Sequence, residues 1–214
     1  MYEAMRERFG HQGWWPGETP FEIAVGAILT QNTTWTNVEK AISNLRSLNA
    51  LDYEGMCGLD DETLLRAIRP AGYFNQKVRK LRNLLSWLGE NCGGKIEELA
   101  SWDISALREG LLGISGIGPE TADSIILYAV GKPTFVVDAY TARILTRHEM
   151  ITPDASYDDI KELFEDNLPV ALDLYQDYHA QFVMVGKTCC RKKSPSCSQC
   201  PLLSFLRRPI SMPE

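Results

Sequence analysis

Four of the six cysteines lie within twelve residues near the C-terminus, at Cys189, Cys190, Cys197 and Cys200. Thiolates at these spacings can bind zinc tetrahedrally or ligate an iron–sulfur cluster. Because the first residues are polar and amphipathic and do not resemble a secretory signal, we expect a cytoplasmic, reducing environment. Metal or cluster ligation is then favoured over disulfides.

A second unusual segment is the glycine turn Gly116-Ile117-Gly118, which is followed by Pro119 and lies between two predicted helices. We expect both glycines to adopt conformations closed to other residues, with Ile117 buried between them. Pro119 fits the first position of the next helix. Such a turn points backbone N–H groups outward at the start of the next helix, which is the positive end of the helix dipole. There they can bind phosphate without base specificity. The alternative is an ordinary corner between helices with a glycine hinge.

The elements that must position these residues are predicted to be helices. Helical apolar spacing runs through nearly the whole chain, and many of the segments end at glycine or proline. The β-branched run at 134–138, TFVVD, is too short to build a sheet alone. The sequence therefore predicts an all-α fold.

The strongest internal boundary is Gly131-Lys132-Pro133, a helix stop followed by a helix breaker. It predicts a central helical lobe at 19–132 and a second lobe from 133 to 214. Residues 1–18 could pack against either lobe, and we assign them to the second.

Composition excludes several classes of protein. The chain has 214 residues, of which 44% are hydrophobic and 23% charged, unlike a disordered chain, a collagen or a coiled coil. No apolar stretch reaches the roughly 18 residues that a membrane span needs. The formal net charge of −6 argues against a broadly basic nucleic-acid-binding surface. It does not exclude a local basic face on an acidic body.

Taken together, these motifs resemble the helix-hairpin-helix DNA glycosylases of base excision repair, the endonuclease III (HhH-GPD) superfamily. The resemblance covers nearly the whole chain: AVGAILTQNTTW at 24–35, RPAGYFNQKVRKL at 69–81, the glycine turn, and TFVVDAYTAR at 134–143. Within this superfamily the chain most resembles the 3-methyladenine glycosylases of the endonuclease III type, which also carry Trp-Trp-Pro near the N-terminus, here Trp14-Trp15-Pro16. The implied fold is two-lobed and helical. It has a helical-barrel domain at 19–132 with the hairpin at about 104–130, and a second domain with a cysteine loop at 189–200.

The resemblance implies that Asp138 is the catalytic aspartate, which stabilises an oxocarbenium-like transition state. The alternative for Asp138 is a simple helix N-cap, and one carboxylate can serve both purposes. Family members that cleave the strand form a Schiff base with a lysine just after the hairpin, and by residue count Glu120 takes that position. Because a carboxylate cannot form an imine, we expect no AP lyase activity by that route.

The resemblance also implies a base pocket and a set of DNA contacts. An alkylated purine is electron-poor, which favours stacking on indole faces with a carboxylate nearby. The expected pocket residues are Trp14, Trp15, Pro16, Trp35 and Glu120, although tryptophans are more often core residues. The expected DNA-binding residues are Gln31, which would fill the gap left by the flipped base, the turn at Gly116, Ile117 and Gly118, and Lys77, Lys80, Arg191 and Lys192.

In the cysteine loop, Cys190, Cys197 and Cys200 match three positions of the family's [4Fe–4S] loop, and Leu206 occupies the fourth. We favour an iron–sulfur cluster, with Cys189 as a candidate for the fourth ligand. The alternatives are a different fourth ligand, for which His179 and His148 are nearest in sequence, a zinc ion, or no metal.

The leading hypothesis is a monofunctional DNA glycosylase that acts as a monomer on alkylated purines in damaged double-stranded DNA, with no membrane partner. One alternative is an endonuclease III-type glycosylase and AP lyase that acts on oxidised pyrimidines. The other is a non-catalytic DNA-binding module.

Overall fold

The computed structural model describes residues 1–206, so residues 207–214 of the predicted second lobe lie outside the described part. Regular structure within residues 1–206 is entirely helical, without a β-strand, which confirms the all-α prediction. None of the helices in this range is long and apolar enough to cross a membrane.

The chain divides into two compact units. Within the described residues, the first unit comprises residues 1–14 and 133–206, and the second comprises residues 15–132. In the first unit the helices are α1 (Tyr2–Phe9), α9 (Ala139–Arg147), α10 (Tyr157–Glu165) and α11 (Leu172–Thr188), with 3-10 turns at Cys197–Gln199 and Leu203–Phe205.

The second unit contains the remaining α-helices of the described chain. These are α2 (Pro20–Leu29), α3 (Trp35–Ser47), α4 (Tyr53–Gly58), α5 (Asp61–Ile68), α6 (Phe74–Cys92), α7 (Ile104–Leu112) and α8 (Pro119–Ser124). A π-helical segment, Ile125–Val130, continues α8, and 3-10 turns lie at Arg69–Ala71 and Ile96–Ser101. Gly131, with φ of 75°, ends the π segment.

Many of the helices begin where the sequence places a capping side chain. A side-chain oxygen accepts a backbone N–H of the first turn at Thr19, Asp52, Asp60, Asp103, Asp138 and Ser156. Each cap satisfies a backbone donor that has no partner within its helix, so these residues fix where the helices start.

The core of the second unit is aliphatic, and α2 is buried along nearly its whole length. The core of the first unit is instead aromatic: Phe135 stacks on Phe164 with ring centroids 4.0 Å apart, and Tyr178 stacks on Phe182 at 5.0 Å. A buried carboxylate, Asp177, accepts hydrogen bonds from the Tyr2 hydroxyl (2.8 Å) and the Gln12 backbone N–H (2.9 Å). These bonds attach the N-terminal segment to α11.

The TFVVD segment runs through the first unit without regular secondary structure. Phe135 and Val136 are fully buried, so their backbone groups need partners other than water. The Glu165 carboxylate accepts the Phe135 N–H at 2.8 Å. A side chain thus takes the place of a sheet partner and brings the chain to Asp138 at the start of α9.

Candidate functional site

Asp138 lies at the N-cap of α9 in the first unit, and its side chain is 11% exposed. Its Oδ1 atom accepts the Thr141 backbone N–H at 2.7 Å and the Thr141 hydroxyl at 2.9 Å. The Nε2 atom of His179 on α11 lies 3.6 Å from the other carboxylate oxygen, Oδ2. Each oxygen of the carboxylate therefore faces a different group.

The charge state of Asp138 follows from these neighbours. Burial raises the pKa of Asp138, but the His179 imidazole beside the carboxylate and the two bonds from Thr141 more than offset burial. The net pKa lies below the ordinary value of 3.8, so the carboxylate is ionised at neutral pH. An ionised carboxylate of low pKa is a weak base but a good electrostatic partner for a developing cation.

The glycine turn joins α7 to α8 in the second unit, as the sequence predicts. Ile117 is 5% exposed and Gly116 has φ of +96°, which agrees with the expected burial and special conformation. The expectation for Gly118 is wrong, because Gly118 adopts an ordinary extended conformation with φ of −98°. A Cβ at Gly118 would meet nothing within 4 Å. The absence of a side chain there leaves open space beside the N-terminus of α8.

Helix α6 packs against this turn through the stem of Lys80 and the amide of Asn83. A Cβ at Gly116 would lie 2.5 Å from Lys80 Cγ, and the Asn83 amide donates to the Ser115 carbonyl at 2.9 Å. The Lys80 ammonium donates to Gln31 Oε1, and Gln31 Nε2 donates to the Thr121 hydroxyl at 2.8 Å. Two of the predicted DNA-binding residues, Lys80 and Gln31, thus meet beside the turn.

Lys77 does not fit the predicted role in phosphate contact. It is only 2% exposed, and its ammonium donates to the backbone carbonyls of Leu29 and Ala71, both at 2.8 Å. The sequence shows a basic strip on α6, but helix rotation places Lys77 on the buried side, where it satisfies the carbonyl at the end of α2. Lys77 is a structural residue of the second unit.

The tryptophans of the predicted pocket separate into two groups. In the second unit, Trp15 packs edge-on against Trp35, with centroids 5.4 Å apart, and lies 5.1 Å from the ring of Tyr128. Trp14 belongs to the first unit, where the Lys187 ammonium lies 5.3 Å from its ring centroid. Pro16 is exposed. Tyr128 lies in the apolar run SIILYAVG and is 7% exposed, so it is a core residue against which Trp15 packs.

Tyr73 is a residue that the sequence did not single out. It is 63% exposed and has φ of 46°, in the left-handed region that non-glycine residues rarely adopt. It immediately precedes α6 and follows Gly72. A large exposed aromatic side chain in a strained backbone is a candidate for contact with a ligand. In the sequence, the only signal for this role of Tyr73 is its place after Gly72 and directly before a helix.

Glu120 occupies the first turn of α8 and is exposed. A carboxylate is favoured there by the helix dipole. The position that the resemblance assigns to a lysine therefore presents an acid on the surface of the second unit.

The cysteine loop follows α11 and encloses a cavity. The side chains that line it are Cys189, Cys190, Cys197, Cys200, Arg147, His148, Leu203 and Leu206. All four predicted ligands thus share one lining with Leu206, the residue at the family's fourth ligand position. Burial raises the pKa of Cys200 to about 11, and the three neighbouring thiols add to this. Among residues 1–206, no three His, Cys, Asp or Glu side chains are grouped as they would be around one metal ion.

Helix α9 holds this loop through two arginines. Arg143 donates to the Cys190 carbonyl at 2.9 Å, and Arg147 donates to the carbonyls of Arg191 (2.8 Å) and Lys192 (2.9 Å). Arg147 also lies 3.2 Å from the sulfur of Cys190. The side chains of Arg191 and Lys192 are exposed. The loop is therefore fixed by its backbone while its cations face outward.

Comparison with known proteins identifies the relatives of this chain. Residues 25–170 match the family model of the HhH-GPD superfamily base excision DNA repair proteins. A Methanocaldococcus jannaschii protein provisionally named a DNA repair glycosylase is 47% identical over 207 residues, which cover 96% of this chain and 93% of that protein. Endonuclease III of Sulfolobus acidocaldarius is 26% identical over 188 residues, 87% of this chain and 81% of that enzyme.

Two solved structures are similar in fold. The Helicobacter pylori 3-methyladenine DNA glycosylase MagIII, bound to 1,N6-ethenoadenine, has a TM-score of 0.74 and 26% identity, over 87% of this chain and 95% of that one. A non-covalent complex of endonuclease III with DNA has a TM-score of 0.81 and 23% identity, over 96% of this chain and 92% of that one.

Proposed function

The chain belongs to the HhH-GPD superfamily of base excision DNA repair proteins, and from this we propose that it is a monofunctional DNA glycosylase that releases alkylated purines from damaged double-stranded DNA. The observation that carries the proposal is the ionised carboxylate of Asp138, held by Thr141 at the N-cap of α9. An enzyme that breaks an N-glycosidic bond needs such a charge near the sugar, where positive charge develops.

The preference for alkylated purines rests on aromatic surface and on similarity. Trp15 and Trp35, which are partly exposed, supply indole rings on which an electron-poor base can stack, and Tyr128 is buried beside Trp15. MagIII, which is named a 3-methyladenine DNA glycosylase, is 26% identical to this chain. Trp14 is a weaker candidate for the stack, because the Lys187 ammonium already lies against its ring.

The chemistry is hydrolysis without strand cleavage. A lyase needs an amine that attacks the sugar carbon, and the position after the hairpin holds Glu120. Asp138 stabilises the developing cation, and its low pKa suits this charge role better than proton removal from water. The product is an abasic site with an intact strand.

DNA binding is assigned to the hairpin, to Lys80 and Gln31, to Tyr73 and to the cysteine loop. The turn offers backbone N–H groups beside Gly118, where there is no Cβ. Tyr73 presents an exposed ring that can stack between bases. Arg191 and Lys192 present cations for phosphate contact.

The cysteine loop is assigned a [4Fe–4S] cluster held by Cys189, Cys190, Cys197 and Cys200. The donor set fits, because the four thiols share one cavity lining and thiolates are the usual ligands of such clusters. Zinc bound by the same thiolates is the alternative. When bound, the cluster would staple the loop that carries Arg191 and Lys192. Iron and sulfide analysis, with absorbance near 400 nm, distinguishes a cluster from zinc.

A base-release assay tests the proposed function. Duplexes that carry 3-methyladenine, 7-methylguanine, thymine glycol or uracil are incubated with excess protein, and free base and strand cleavage are measured. We expect release of the methylated purines with intact strands, and none from Asp138→Asn, which keeps the helix cap and DNA affinity. Release of thymine glycol with a borohydride-trapped adduct would indicate an AP lyase instead. Binding to abasic DNA without release of any base would indicate a non-catalytic module.

A further inference from the structure

Helix α11 places a histidine against the carboxylate of Asp138. His179 is 4% exposed, and its Nε2 atom lies 3.6 Å from Asp138 Oδ2. The other oxygen, Oδ1, is already engaged twice by Thr141. His179, on a different helix, therefore faces Oδ2, the carboxylate oxygen that does not cap α9.

We propose that His179 is a positioning residue for the reaction: its imidazole N–H holds Oδ2 and so fixes the orientation of the Asp138 carboxylate. The proposal rests on the proposed catalytic function of Asp138. A carboxylate that is held at one oxygen only can turn about its terminal bond. Contacts at both oxygens, from α9 and from α11, remove this freedom and preorganise the negative charge.

The length of the contact agrees with a positioning role. At 3.6 Å the two atoms attract one another but are slightly too far apart for a hydrogen bond. Contacts in active sites are often long in the free enzyme and shorten when substrate is bound.

A purely structural role, in which the pair only joins α9 to α11, is the competing explanation. Other contacts already make that connection. A Cβ at Gly186 would lie 2.2 Å from Tyr140 Cδ1, so the two helices are in close contact there. Arg143 further donates to the Cys190 carbonyl beyond the end of α11. Loss of the His179 contact should therefore affect the carboxylate more than the helix packing.

The test uses two substitutions of similar size. Gln at position 179 retains an N–H donor near the position of Nε2, and Met fills the space without a donor. The wild type, Asp138→Asn, His179→Gln and His179→Met are compared for three quantities: the single-turnover rate of base release at saturating protein, the dissociation constant for DNA with an abasic-site analogue, and the melting temperature. His11→Gln is the matched control, because His11 is exposed and lies 4.0 Å from another carboxylate, Asp177.

We expect His179→Met to lower the single-turnover rate about 100-fold, the typical cost of a misplaced catalytic group, with the dissociation constant unchanged. His179→Gln should recover at least one tenth of the wild-type rate, and His11→Gln should equal the wild type. An unchanged rate in His179→Met, or equal losses in the Met and Gln variants, would overturn the positioning role. Full activity of Asp138→Asn would instead overturn the proposed function.

Discussion

At the scale of single residues, polar groups to which the proposed function assigns a role also have partners that serve the fold. Asp138 caps the N-terminus of α9 with one carboxylate oxygen, and its other oxygen faces His179. Gln31 bridges Lys80 and Thr121 in the free protein, so its side chain must leave these partners before it can fill a gap in DNA. Lys77 differs, because its buried ammonium binds only backbone carbonyls and so serves the fold alone.

The buried ammonium of Lys77 leads to a prediction about stability and pH. Burial, followed by the charge of Lys80, lowers the pKa of Lys77 from 10.5 to about 8. Between these values the unfolded chain binds a proton that the folded chain does not, so stability rises with pH in this window. We expect the unfolding free energy of the wild type, relative to Lys77→Met, to increase by about 3 kcal/mol between pH 8 and 10.5.

Urea titrations at several pH values measure the unfolding free energies of the wild type and of Lys77→Met. Groups other than Lys77 titrate in both proteins, so their contributions cancel in the difference. Lys40→Met, at an exposed position of α3, is the control and should give a flat difference. A difference that is flat for Lys77→Met as well would mean that the Lys77 ammonium is not destabilised by burial.

At the scale of elements, the two glycines of the hairpin differ in why the position holds a glycine. The second glycine has ordinary backbone angles and open space around its missing Cβ. Nothing in the free protein therefore requires glycine at this position, whereas Gly116 needs it for φ and for the contact with Lys80. Under the proposed function, the open space at Gly118 lets a phosphate oxygen reach the backbone N–H groups of the turn.

We expect Gly118→Ala to weaken binding of undamaged duplex DNA about tenfold without a change in melting temperature. The added methyl group keeps a phosphate oxygen from the backbone N–H groups of the turn, at a cost of about 1.4 kcal/mol. Gly58→Ala is the control, because its Cβ also meets nothing within 4 Å and its φ is not positive. Fluorescence anisotropy with a labelled duplex gives the affinities. Equal affinities for Gly118→Ala and the wild type would show that phosphate does not approach the turn.

Much of this architecture follows from the sequence, and the exceptions have physical causes. Helical spacing and capping residues such as Asp103 and Asp138 predict the helices and the hairpin. Lys77 and Tyr128 depend on how helices are rotated against each other, which local spacing does not encode. Tyr73 depends on a left-handed backbone that its residue type disfavours. The partner of Asp138, His179, lies 41 positions away on another helix, and only packing reveals it.

At the scale of the whole molecule, charge is the main constraint on the proposed function. The chain carries a formal net charge of −6, so its average field repels DNA. Binding must then depend on a few local cations. Arg191, Lys192 and Lys193 are exposed on one loop whose backbone is held by Arg147. Their position on a fixed loop suits them to local phosphate contact despite the acidic body.

Replacement of Arg191, Lys192 and Lys193 by Gln should make DNA affinity less dependent on salt. Each phosphate contact contributes about 0.9 to the slope of log affinity against log salt concentration, so the slope should fall by about 2–3. The control replaces Arg8, Lys40 and Lys95, which are exposed outside the proposed DNA-binding elements, and removes the same net charge. Its slope should stay near that of the wild type. If both triple variants lose the same slope, total charge rather than the cysteine loop governs binding, and the proposed phosphate contacts of the loop are wrong.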